Sequence, residues 1–205
     1  MNTDIPVTGR SHRKGAARRA EILSKAIGLF AAHGVESSLR AIGEAIGVSH
    51  AALRYYFASR DELLVEVYRT HETSLHWKPI AEEESAVELM ELSAERNATI
   101  PGLIELYATL TTDALQPQRH PLTREFIRTR FEHVRADVGA RIRAGQRAGV
   151  IAQDIDADDA AALVAAASDG LQLQWLLHPD DVDIRRSLAI LERVLPAASA
   201  ASTTP

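Results

Sequence analysis

The chain has 205 residues, 46% of them hydrophobic, with a net charge of −5 and no cysteine. That length and composition can bury a core. They exclude disulfides and thiolate metal sites, and no apolar run approaches the ~20 residues of a membrane span. The charge is unevenly shared: residues 1–64 carry nine Lys/Arg against six Asp/Glu, and the remainder carries 14 against 22. A basic end on an acidic body suits contact with a polyanion at that end only. No long apolar stretch follows the basic start, so we expect no signal peptide and a cytoplasmic chain.

Almost every segment reads as helix. Ala17–His33 places Ile22, Ala26, Leu29 and Phe30 on one apolar face, and Gly34 ends it. Ser37 or Ser38 then caps a short helix with Leu39, Ile42 and Ile46 inward. Gly47-Val48-Ser49 makes a tight turn in which Ser49 caps a third short helix running to about Tyr56. Ser59 and Glu62 form a capping box that opens a fourth helix through Leu63, Leu64 and Val67. Further helices are expected over Glu82–Asn97, from Pro101 to about Leu115, over Leu122–Ala148, over Asp156–Leu177, and along the stripe Ile184, Leu188, Leu191, Leu195. The small, polar tail 197–205 reads as disordered. No strand alternation or internal repeat stands out.

Two short helices joined by Gly-Val-Ser, behind a longer one, are the elements of a helix-turn-helix. The second helix of such a motif enters the major groove with its N-terminal residues toward base edges. Here it begins Ser49-His50-Ala51-Ala52 and presents His50, Arg54 and Tyr55 outward. The stretch from about Ile22 to Leu64 resembles the DNA-binding domain of the TetR family. The resemblance rests on Ala26, Leu29, Phe30 and Gly34; on Ser38, Leu39, Ile42, Gly47, Val48 and Ser49; and on Leu53, Tyr56, Phe57, Ser59, Leu63 and Leu64. Departures are Ala51 for a frequent Gly, Ala52 for a frequent Thr, Arg54 for a frequent Tyr and Gly43 for a frequent Ala. Ala52 can touch a thymine methyl and Arg54 can grip phosphate or guanine, so the operator cannot be borrowed from a relative.

The resemblance implies an all-α fold: an N-terminal three-helix helix-turn-helix domain, residues 1–64, and a C-terminal helical domain, residues 65–196, for dimerisation and a small-molecule effector. It implies a homodimer on a pseudo-palindromic DNA operator, a repressor released by that effector, with no cofactor. Candidate DNA contacts are Arg13, Lys14, Arg18, Ser38, Arg40, Ser49, His50, Ala51, Ala52, Arg54, Tyr55, Tyr56 and Arg60. Residues 10–19 are expected to be a basic arm on phosphate or in the minor groove. Polar or aromatic groups beside apolar stripes, namely Tyr107, Thr111, Phe126, Arg130, His133, Gln172 and Trp175, are candidate effector contacts for a largely apolar ligand. The small-residue helix (Ala162, Ala166, Gly170) and the last stripe (Ile184, Leu188, Leu191, Leu195) are the candidate dimer interface.

Other chemistry finds less support. Asp154, Asp156 and Asp158 alternate as at the start of a calcium loop, but Asp159 and Ala165 stand where such a loop needs Gly and Glu. They are read as helix caps. His71 and His76 are five apart and turn to different faces, so no metal site is expected. No phosphate loop, nucleophile elbow or dinucleotide fingerprint is present. The alternative functions are a helical protein–protein adaptor that does not bind DNA and an all-α enzyme.

Overall fold

The structure, a computed structural model, describes residues 8–33, 38–72 and 85–194. Leu195, His76, Gly34 and the tail 197–205 lie outside them. The described residues form nine helices and no strand: α1 (Thr8–His33), α2 (Leu39–Ile46), α3 (His50–Tyr56), α4 (Arg60–Glu72), α5 (Ala86–Ala98), α6 (Leu103–Ala114), α7 (Pro121–Arg147), α8 (Ala157–Leu177) and α9 (Ile184–Val194). The all-α expectation holds. None of these helices is long and apolar enough to cross a membrane.

Packing divides the chain into two compact units. The first groups residues 1–74 with 101–123, and the second groups 75–100 with 124–205. These units of packing do not follow the boundary expected at residue 64. In the first unit α1 packs on α2, α4 and α6, and α4 packs on α6. Ile22, Ala26 and Phe30 of α1, Leu63, Leu64 and Tyr68 of α4, and Leu106 and Leu110 of α6 are buried there. Each such large side chain contributes about 1.5–3 kcal/mol by leaving water.

Helix α1 differs from its expected extent. It begins at Thr8, so Arg10–Arg19 lies on a helix and is not an extended arm. The cause is intrinsic propensity. Between Arg13 and Ala20 only Gly15 is a poor helix former, and Ala, Arg and Lys fill the rest.

The second unit has its own core. Ala86, Val87, Met90 and Ala94 of α5 meet Val138 and Ile142 of α7, Ala157, Ala160, Ala161 and Val164 of α8, and Ile184 and Leu188 of α9. Small residues on α8 let α5 and α9 approach closely. A capping box starts α5: Ser85 accepts from Glu88 N, and the Glu88 carboxylate accepts from Ser85 N. Asp156 starts α8 by accepting from the amides of Asp158 and Asp159 at 2.8 and 2.9 Å, as expected of a cap.

Candidate nucleic-acid interface

Helices α2 and α3 are short, so their placement depends on caps and on one close approach. Ser38 caps α2, accepting from Ala41 N at 3.2 Å, and Ser49 caps α3, accepting from Ala52 N at 3.2 Å. Each cap is worth about 1 kcal/mol. Gly47 sits at φ 71° between them, where a side chain would be strained. Val48 N–H donates to Gly43 O at 2.8 Å. A Cβ at Gly43 would stand 2.6 Å from Val48 O and 3.0 Å from Leu53 Cδ1. The glycine that departs from the family pattern therefore lets the turn fold tightly over α2.

Helix α3 buries Leu53 and, at its C-cap, Phe57. The Arg19 guanidinium covers Phe57, 4.9 Å from its ring centroid, and donates to Glu66 at 2.9 Å, tying α1 to both α3 and α4. With Leu53 and Phe57 inward, His50, Ala51, Arg54 and Tyr55 are exposed on the opposite face, while Ala52 and Tyr56 are half-buried. Tyr55 is 82% exposed and meets Tyr56 edge to face at 5.0 Å. A tyrosine so exposed on a helix with a buried Leu–Phe seam gains nothing from the core. Its surface is available to a partner.

The other candidate contacts fall into two groups. Arg13 and Lys14 are exposed on the first turns of α1, and Ser38, Arg40 and Ser49 are exposed at the starts of α2 and α3. Arg40 donates to Glu44 at 2.9 Å on an open surface, where water screens the pair. A phosphate can displace it. Arg18 is committed to Glu21, whose carboxyl is held down to about 2 by hydrogen bonds from Lys25 and Arg18. Arg60 is a correction. Its guanidinium is turned to Asp113 at 3.0 Å and to Asp61 at 3.8 Å, with 22% of the side chain exposed. It is an internal ion-pair partner and not a side chain of the reading surface.

The candidate effector contacts are divided between the two units. Tyr107 and Thr111 belong to the first unit. Tyr107 is stacked on Tyr68 at 5.5 Å, and the Thr111 hydroxyl donates to the carbonyls of Tyr107 and Ala108. The rest belong to the second unit, where Phe126 is buried, Arg130 half-buried and His133 exposed. Gln172 is buried in a polar seam, accepting from Asn97 at 3.0 Å and donating to the Ser168 carbonyl at 3.3 Å. Of these candidates Trp175 alone borders an open cavity of about 470 Å³, whose wall also carries Ala94, Glu95, Ala98, Asp180, Asp181 and Asp183 together with Arg185 and Arg186. Half of that wall is polar, against the largely apolar lining expected. The acidic loop 180–183 was passed over because loop acids read as solvated.

Two of the candidate dimer residues are corrected as well. Leu188 is fully buried and Ile184 is 8% exposed, both within the second unit's own core. Leu191 packs against the same core. By contrast Ala162 and Ala166 are exposed and Gly170 is half-exposed on the outward face of α8. Leu163, Leu173 and Leu177 share that face at 58%, 45% and 75% exposure. Spacing of three or four residues from Leu163 to Leu177 makes a second apolar stripe. The sequence reading missed it because α8 is apolar on both sides.

Comparison with known proteins agrees with this geometry. Residues 22–67 match the model of bacterial regulatory proteins of the tetR family, and residues 114–199 match the C-terminal domain of the BetI-type transcriptional repressors. The HTH-type transcriptional regulator TtgR of Pseudomonas putida is 27% identical over 186 residues, covering 85% of this chain and 88% of that protein. A transcriptional regulator of Rhodococcus sp. Rha1 shares the fold with a TM-score of 0.69 at 19% identity, over 86% of this chain and 95% of that one. A regulator of Saccharomonospora viridis, solved in complex with choline, has a TM-score of 0.65 at 25% identity, over 87% and 95% of the two chains.

Proposed function

The chain belongs to the TetR family of transcriptional regulators, and from that premise we propose that it is a cytoplasmic repressor, binding a pseudo-palindromic operator as a homodimer and released by a small molecule. Residues 1–64 read DNA; residues 65–196 dimerise and take the effector. The observation that carries the DNA reading is the outward face of α3: His50, Arg54 and Tyr55 exposed above a buried Leu53 and Phe57. Arg54 supplies the charge-assisted donor for guanine or phosphate. Arg13, Lys14 and Arg40 supply backbone contacts, and the hydroxyls of Ser38 and Ser49 can cap a helix and donate to phosphate together. A gel shift with duplex from the chain's own upstream region tests this. Specific, salt-sensitive binding that Arg54→Ala weakens is expected; no discrimination from random duplex would sink the reading.

Dimerisation is assigned to the outward apolar stripe of α8, where Ala162, Ala166 and Gly170 allow close approach and Leu163, Leu173 and Leu177 supply apolar area. A two-fold homodimer meets half-sites about one turn of DNA, ~34 Å, or a multiple of it, apart. For the effector, the cavity beside Trp175 offers an aromatic face and the carboxylates of Asp180, Asp181 and Asp183, beside a Glu95 already held by Arg185 at 3.1 Å, and we read it as suited to an organic cation with an apolar part. A relative solved with choline supports that class. Titrating choline against Trp175 fluorescence and duplex binding tests it: quenching with release of DNA is expected. Saturating choline that changes neither would remove this effector class.

A further inference from the structure

Helix α3 is seven residues long and, among the described helices, packs broadly on α2 alone. Two buried side chains hold it. Leu53 sits in the space that Gly43 leaves open, and Phe57, at the C-cap, is 1% exposed. The Leu53 contact and the Ser49 cap fix the start and middle of the helix. Its far end depends on what closes over Phe57.

Arg19 closes it. This residue belongs to the basic run expected on phosphate, yet its guanidinium is committed within the first unit. The guanidinium carbon is 4.9 Å from the centre of the Phe57 ring, and Nη2 donates to Glu66 Oε2 at 2.9 Å. Burial pushes the Glu66 carboxyl up, but hydrogen bonds from Arg19 and then Arg69 hold it below its ordinary range, so it stays an anion facing the guanidinium. One planar group thus offers its face to the ring and its edge to the acid at once. A lysine can do either but not both, since an ammonium is a point charge without a face. Three helices meet at this group: α1 carries it, α3 ends beneath it and α4 orients it.

Leu53 and Phe57 are one turn apart and point the same way, so together they fix the roll of α3 about its axis. Held by Leu53 alone, the helix can roll. Arg54 and Tyr55, which lie between the two anchors and project from the opposite face, then sweep sideways past a base edge. Hydrogen bonds to base edges weaken steeply with distance and angle, whereas attraction to phosphate is long-ranged and tolerant. We propose that Arg19 is a positioning residue of DNA recognition: by clamping Phe57 it fixes the roll of α3 and sharpens base discrimination without itself touching DNA. This role rests on the DNA-binding reading.

Affinities of the full chain for duplex from its own upstream region and for random duplex, measured across a salt series, test it. Loss of folded protein or of a phosphate contact lowers both affinities alike, so the readout is their ratio. In Arg19→Lys, which keeps the charge, the specific-to-random ratio should fall about fivefold with random-duplex affinity unchanged. Arg19→Gln should lower the ratio at least as far and keep the wild-type salt slope. Phe57→Leu should lower it likewise, and adding Arg19→Lys should then cost nothing more, because residues acting through one contact are not additive. Fluorine NMR of the fluorophenylalanine-labelled chain without DNA should show the Phe57 signal, assigned by its absence in Phe57→Leu, displaced in Arg19→Lys. An unmoved signal overturns the clamp. An unchanged ratio in Arg19→Lys, or effects that multiply in the double variant, overturns the positioning role alone. A salt slope lowered by about one for both duplexes in Arg19→Gln places the guanidinium on phosphate and overturns it too. A wild-type chain that does not discriminate its upstream duplex overturns the DNA reading, and this role with it.

Discussion

Arg54 and Gly43 carry opposite kinds of information at the residue scale. Arg54 is exposed in the last turn of α3 and is not needed by the core. Arg54→Ala should leave the melting temperature unchanged and weaken operator binding. If its partner is phosphate, the salt slope falls by about one; if guanine, about 1–3 kcal/mol of discrimination is lost at one base pair. Unchanged affinity and slope in a salt titration would remove Arg54 from the surface. Gly43 touches nothing outside the fold, yet its missing Cβ is what allows Val48 and Leu53 to approach. Gly43→Val should lower the denaturation midpoint by an overpacking cost of about 1–3 kcal/mol and abolish duplex binding by displacing α3. A stable variant that binds normally would show that the approach can relax. Caps such as Ser38 and Ser49 were legible because a cap acts on its own next residues. Arg60 was not, because its partner Asp113 is 53 residues away.

Helix existence was read well at the element scale and helix extent less well. All nine helices lie where the sequence places a helix, and apart from α1 the expected ends that fall in the described residues agree to within a few residues. Helix α1 does not, because an arm and a helix of Ala, Arg and Lys look alike until something packs on them. Basic residues on a rigid helix hold a fixed bearing, so Arg13→Ala with Lys14→Ala should weaken specific and random duplex by the same factor. A gel-shift competition that shows loss only for the specific duplex would place these residues at bases. At α8, the Asp156 carboxyl is held below its ordinary range by the amides of Asp159 and then Asp158. A carboxyl lowered on folding adds stability above its unfolded value and loses it as pH falls through its folded one. Asp156→Ala should therefore melt earlier than wild type at neutral pH, with the gap closing as the solution becomes acidic. A gap independent of pH in thermal melts would mean that the cap acts through its shape alone.

At the scale of the whole molecule, two apolar stripes compete for the same explanation. Leu188 is at 0% exposure and Leu177 at 75%, so one serves this chain's core and the other is left uncovered, which is why the proposed dimer contact is placed there. Leu173→Glu with Leu177→Glu should give a folded monomer by analytical ultracentrifugation, with helical content kept and operator binding lost, since each half-site alone is weak. Leu188→Glu should instead unfold the second unit, because it places an unpaired charge in a closed core. A dimer that survives the first pair at micromolar concentration would put the interface elsewhere.

The sequence by itself determined the helical fold, the caps and turn of the helix-turn-helix, the family, and the outward face of α3. Each of these rests on periodicity or on chemistry between residues a few positions apart. Only the tertiary structure decided which of the apolar stripes on α8 and α9 is interior, why residue 43 is glycine, and that Arg60 faces Asp113 and not the reading surface. Periodicity shows that a face is apolar, but not what covers it. An ion pair between α4 and α6 leaves no local trace, since its distance in space is set by the packing of α4 on α6, which are far apart in the chain.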